Sequence, residues 1–226
     1  NIDKYRILSR NSTIEINNVE DNTTDIRAVS VTNSYLNEFP KFFEKFSSII
    51  EVKISYSGFG EAKELCGSKT TLLEVSNSFW GGNFLSLSGC VELTKLSVIY
   101  SNLQKIDWRN AKNLIKITVH NNRISEIPEG SFSLMTSLEE VDFQGNQITA
   151  LDGDLFKKNL KLKKVDFSDN ILKTVGIDIF EGNVALINLK FANCGCIDKS
   201  EKIDFKKFIE ELTTNCSISS SNDELM

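Results

Sequence analysis

Proline is almost missing from this sequence, with two residues in 226, and histidine is confined to His120. A single histidine excludes a metal-binding histidine pair, and neither a phosphate-cradling Walker loop nor a Gly-x-Ser-x-Gly nucleophile turn occurs. No residue is assigned a catalytic role, and no metal or cofactor is expected. A basic surplus is also lacking: 26 Lys and Arg stand against 31 Asp and Glu, a net charge of −5. That balance argues against a nucleic-acid partner, because phosphate neutralisation draws on lysine and arginine. No apolar run approaches the roughly 20 residues that cross a bilayer, so membrane insertion by this segment is not expected. The opening residues, Asn1 to Tyr5, lack the apolar stretch of a signal peptide.

What is abundant is asparagine, 22 residues, a composition suited to many polar turns and hence to repeats. Apolar triplets spaced i, i+3, i+5 occur at Ile26/Val29/Val31, Ile49/Val52/Ile54, Leu93/Leu96/Val98, Leu114/Ile117/Val119, Leu138/Val141/Phe143, Leu162/Val165/Phe167 and Leu186/Leu189/Phe191. An eighth copy fits at Leu72/Val75, with Asn77 where the third apolar residue belongs. The starts are then separated by 23, 23, 21, 21, 24, 24 and 24 residues, a period that means a solenoid. Ten residues after each start stand Leu36, Phe59, Gly82, Leu103, Ile124, Ile148 and Leu172. Thirteen after come Phe39, Ala62, Leu85, Ile106, Ile127, Leu151 and Val175. The 24-residue copies add Phe132, Phe156 and Phe180, with Phe43 as their counterpart in the first copy, and these are expected to form a buried aromatic row.

The segment from Leu138 to Ile148, Leu-Glu-Glu-Val-Asp-Phe-Gln-Gly-Asn-Gln-Ile, resembles the leucine-rich-repeat pattern L-x-x-L-x-L-x-x-N-x-L. The resemblance implies an α/β fold: a curved solenoid of about eight repeats over residues 26–193, with a parallel concave β-sheet. Residues 1–25 are read as an N-terminal cap, containing a short strand around Thr13 to Ile16. Residues 194–216 are read as a helical, cysteine-containing C-terminal cap, and 217–226 as a polar tail. The family's asparagine column reads Ser34, Ser57, Trp80, Ser101, Asn122, Asn146, Asn170 and Cys194, so the first half is expected to be the less regular. The 24-residue form is similar to secreted proteins and receptor ectodomains, and in style to insect secreted proteins such as the leucine-rich immune proteins of mosquitoes. That likeness implies recruitment of other extracellular proteins in innate immunity. The alternative is the ligand-binding ectodomain of a membrane receptor.

Cys66 and Cys90 fall at similar phases of neighbouring coils and can either bond or remain buried thiols. Sequons at Asn11, Asn22 and Asn215 point to the secretory route, which favours the bond and a secreted location. In the cap, Cys196 is expected to pair with Cys216, leaving Cys194 a buried thiol in the asparagine column. Pairing of Cys194 with Cys216 would instead free Cys196 for a bridge to another chain.

The residues between the apolar ones face out from the concave sheet. Seven residues after each start stand Asn33, Tyr56, Phe79, Tyr100, Asn121, Gly145, Asp169 and Asn193, so three consecutive coils are expected to present aromatics beside Ile99. His120 falls next to Asn121 on this face. Charged neighbours include Lys95, Lys116, Glu140 and Lys164, and Asp142 and Asp166 occupy one position in adjacent coils. Another extracellular protein is the partner that such a surface suggests.

Overall fold

The computed structural model describes residues 13–17, 27–38, 48–61, 65–196, 199–201 and 205–216. Phe39, Phe43, Ala62, Asn11 and Asn22 lie outside them. Eight parallel strands form the main sheet: Ala28–Thr32, Glu51–Ser55, Leu72–Ser76, Lys95–Ile99, Lys116–Thr118, Glu140–Asp142, Lys164–Asp166 and Asn188–Phe191. Each starts where period-two alternation begins, so Leu96 and Val98 are buried while Lys95 and Ser97 face the other way. Antiparallel strands close both ends, Thr13–Asn17 against Ala28–Thr32 and Lys199–Glu201 against Asn188–Phe191. Short parallel strands such as Gly58–Glu61, Phe84–Ser86 and Lys105–Asp107 line another side of the coils. The described residues hold one α-helix, Phe205–Asn215, which buries Leu212 in the C-terminal cap. None is long and apolar enough to cross a membrane.

The third coil corrects the sequence register. Leu73 pairs with Val52 and Leu96, and Val75 with Ile54 and Val98, so the coil starts at Thr70 and not at Leu72. Thr70 is fully buried in an apolar slot because its hydroxyl is satisfied, donating to the Ile49 carbonyl at 3.1 Å and accepting from the Gly67 N–H at 3.0 Å. The whole row moves by two residues. Ser78, not Trp80, joins the asparagine column; Trp80, not Gly82, fills the next core position; and Asn77, not Phe79, takes the place beyond the strand. Gly81, Gly82 and Asn83 absorb the two extra residues before Leu85 returns to register opposite Ile106.

With that correction the column is a continuous ladder. The N–H groups of Ser34, Ser57 and Ser78 donate to the hydroxyls of Ser57, Ser78 and Ser101, at 3.3, 3.3 and 3.4 Å. Asn122 then accepts from the N–H groups of Ser101 and Leu103, both at 3.1 Å, and donates to the Val98 carbonyl at 2.7 Å. Asn146 and Asn170 repeat this scheme, and the Cys194 thiol donates to the Phe167 carbonyl at 2.9 Å. Buried backbone groups that a turn would leave unpaired are thereby satisfied. A second ladder went unread in the sequence: Asn159 donates to the carbonyls of Phe132 and Met135, and Asn183 to those of Phe156 and Asn159.

Two phenylalanine rows fill the later coils. Phe132, Phe156 and Phe180 stack at 5.7 and 5.6 Å, Phe143, Phe167 and Phe191 at 5.7 Å, and the rows meet at 6.2–6.3 Å. Trp108 ends the stack edge-on to Phe132, where the shorter fourth coil has Ala111 in place of phenylalanine. The structure joins Cys66 to Cys90 and Cys196 to Cys216, with Cys194 a buried thiol.

Candidate functional site

The outward side chains of the main sheet form the candidate site. Just past each strand one residue adopts a left-handed backbone: Asn33, Tyr56, Asn77, Tyr100, Asn121, Gly145, Asp169 and Asn193, with φ between 48° and 67°. Asparagine, aspartate and glycine suit this conformation and tyrosine does not. Yet Tyr56 and Tyr100 occupy it while remaining 63% and 58% exposed. Phe79 is exposed too, but on a lateral strand opposite Gly58, so the proposed run of three concave aromatics is a pair separated by Asn77.

Tyr100 begins a connected strip. Its ring meets His120 edge-on at 5.8 Å, and the Asn121 amide donates to His120 Nδ1 at 2.8 Å. That amide occupies the space a side chain at residue 145 would need, since a Cβ on Gly145 would collide with Asn121 Oδ1. Ile99, half-buried at the end of its strand, lies beside Tyr100. Further along, Gln144 and Asn193 both donate to the Asp169 carboxylate, at 2.8 and 3.0 Å, and hold it below the usual aspartate range.

A depression of about 140 Å³ crosses the strands at Lys116, Glu140, Asp142, Lys164, Asp166 and Lys190. Glu140 bridges Lys116 at 2.8 Å and Lys164 at 2.7 Å, and these bonds lower its pKa. Asp142 and Asp166 are register partners, but only Asp166 has a lysine, Lys190, at 3.0 Å. Asp142 accepts the Gln144 N–H at 3.0 Å, while burial and then the neighbouring Asp166 push its pKa up.

The two carboxylates therefore respond to pH with opposite sign. The contribution of Asp142 is fully present below the ordinary aspartate value of 3.8 and is lost as pH rises through its raised pKa. That of Glu140 is present above the ordinary glutamate value of 4.5 and is lost as pH falls through its lowered pKa. At neutral pH Asp142→Asn, which keeps an oxygen for the Gln144 N–H, is expected to hold or raise Tm, whereas Glu140→Gln lowers it. Thermal unfolding from pH 3 to 8 checks both; a lower Tm for Asp142→Asn at pH 7 would contradict the assignment.

Comparison with known proteins adds a family model described as a BspA type leucine rich repeat region, matched in six copies over residues 85–187. Residues 85–187 thus match leucine-rich repeats of that type, and the coils on either side continue the same sheet. No curated protein matches the chain. Among solved structures, leucine-rich-repeat architecture is shared with the crystal structure of a TLR13–ssRNA13 complex, at TM-score 0.62 and 20% identity. The match covers 74% of this chain and 25% of that one, so the chain spans about a quarter of its length. The comparisons do not reach the insect subgroup. That solved solenoid is in complex with ssRNA13. Here lysines 53, 95, 116, 164 and 190 alternate with carboxylates 51, 74, 140, 142, 166 and 169, and neither sign dominates.

Proposed function

We propose that the chain is a secreted protein-binding module whose concave face recognises another extracellular protein, in the service of innate immunity. One observation carries the reading: Tyr56 and Tyr100 are held exposed in a backbone conformation for which their neighbours use asparagine, aspartate or glycine. Such a tyrosine costs about 1 kcal/mol of strain, and exposure gives the core no compensating packing. Contact with a partner supplies the reason to keep them, with Ile99, His120 and Asn121 completing the patch and Asp142 and Asp166 beside it. The two cystine bridges and exposed Asn215, at the end of the cap helix, support an extracellular setting.

Alanine at Tyr56, Ile99 or Tyr100 is expected to weaken partner binding by about 1–3 kcal/mol each while leaving stability nearly unchanged. Protein from a secretory host should also lose mass on glycosidase treatment at one or more of Asn11, Asn22 and Asn215. A partner that holds the triple alanine variant as tightly as the native chain would sink the concave-face assignment, and an unchanged mass would count against secretion. The likeness of fold to the TLR13 solenoid supports a second reading, the ligand-binding ectodomain of a membrane receptor. It uses the same face, and the full reading frame separates the two.

A further inference from the structure

On the two outward columns of the main sheet, nearly every charged side chain has an opposite charge beside it. Lys53 bridges Glu51 and Glu74 at 3.4 and 3.7 Å. Lys116 and Lys164 share Glu140, and Lys190 holds Asp166. Among the described residues two are exceptions. Lys95 has no carboxylate, and its register neighbour is another lysine, Lys116. Asp142 has no cation in contact, and its register neighbour is another carboxylate, Asp166. Of its two oxygens only Oδ1 is used, by the Gln144 N–H.

Neither charge is in an ion pair among the described residues, and both share the outward face with the apolar patch. Lys95 begins the strand that ends at Ile99, directly before Tyr100. Asp142 lies two coils further on, in the depression described above. Adjacent strands are about 4.8 Å apart and residues about 3.3 Å apart along a strand, so the two charges are roughly 12 Å apart. An extended peptide covers that in three or four residues.

We infer that the partner is a protein segment that sets an arginine or lysine on Asp142, an acidic residue on Lys95 and an apolar residue on Ile99 and Tyr100. The inference rests on the concave-face reading and names the chemistry of its ligand. A desolvated carboxylate next to a second carboxylate gains most from a guanidinium or ammonium, which can serve both. A nucleic acid would bring phosphate against the same pair, where like charges repel.

The test is to pan a phage-displayed library of short random peptides on the folded chain and on its Asp142→Asn, Asp142→Lys and Tyr56→Ala/Tyr100→Ala variants. A cooperative thermal unfolding transition establishes that each variant is folded. The native chain is expected to select peptides rich in arginine or lysine. A selected peptide, synthesised, should bind Asp142→Asn roughly tenfold or more weakly, and Asp142→Lys should select acidic peptides instead. Selection of peptides without a basic residue, or of the same basic peptides by Asp142→Lys, overturns the inference and leaves the concave-face reading standing. Peptides indifferent to the double tyrosine variant, or no selection by the native chain, overturn both. Displacement of the peptides by single-stranded RNA that binds Asp142→Lys more tightly than the native chain would put a nucleic acid on this face and also refute the inference.

Discussion

Phe156→Ala is expected to destabilise the protein by about 3–5 kcal/mol, the usual range for truncating a fully buried phenylalanine. Phe156 is 0% exposed and touches Phe132, Phe167 and Phe180 at ring separations of 5.7, 6.3 and 5.6 Å. Its removal leaves a hole between two coils rather than within one, and flanking rings fixed by their own stacks cannot collapse into it. The Phe156 carbonyl also accepts from Asn183, so movement of the backbone would disturb the second asparagine ladder. Leu160→Ala, in the same coil but 58% exposed, serves as the control, with an effect within about 0.5 kcal/mol. Denaturant midpoints measure both. Equal shifts for the two would show that the aromatic rows are not a principal source of cohesion.

Replacing Cys66 and Cys90 together by serine and alanine is expected to cost about 3.5 kcal/mol, the chain-entropy value for a closed loop of roughly 25 residues. The bridge spans a sequence separation of 24 and ties the second coil to the third, the coil that carries the two extra residues. Coils of a solenoid touch only their neighbours, so the effect should be local. Hydrogen exchange in strands Glu51–Ser55 and Leu72–Ser76 should accelerate while Glu140–Asp142 and Lys164–Asp166 stay protected. Uniform acceleration along the chain would mean that the solenoid unfolds as one unit. Free thiols at both positions in protein from an oxidising host would remove the basis of the prediction.

Most of the solenoid was legible because its core columns are written in apolar letters. Val29 and Val31 and the other six triplets pack inward along the main sheet, with Leu186 part-buried, Ile26 lies outside the described residues, and Phe132, Phe156 and Phe180 form the expected row. The error arose at one polar letter. Thr70 occupies an apolar slot with its hydroxyl fully bonded, and a search for aliphatic residues passes over it to Leu72. Two residues of slippage then put Phe79 in the binding column, Trp80 in the asparagine column and the irregularity at the strand rather than at Gly81-Gly82. Equal spacing to Leu93 concealed the slip, because the Thr70 coil itself carries a compensating insertion at Gly81, Gly82 and Asn83. The second ladder did have a signal, Phe-x-x-Asn at Phe156/Asn159 and Phe180/Asn183. The closing strand Lys199–Glu201 had none: Lys-Ser-Glu has no apolar alternation, and the strand forms because a free sheet edge is available to pair with.

Within the site, Tyr56, Ile99, Tyr100 and His120 could be placed from strand periodicity alone. The partnerless state of Asp142 could not. It depends on which lysine of a neighbouring coil reaches which carboxylate, and Lys164 turns to Glu140 whereas Lys190 turns to Asp166. Register fixes which residues are adjacent, but side-chain reach decides the pairs.

The reversed strands at the two ends of the sheet bear on whether this architecture can propagate. A stack of parallel coils is a template on which a coil from a second molecule could in principle be laid, then a third, toward a fibre of indefinite length. Thr13–Asn17 and Lys199–Glu201 run against the strands they cover, so the outermost backbone offers an incoming coil the wrong polarity for continuing the stack. Among the described residues the parallel stacking of coils is thus interrupted at both edges of the sheet by a reversed strand.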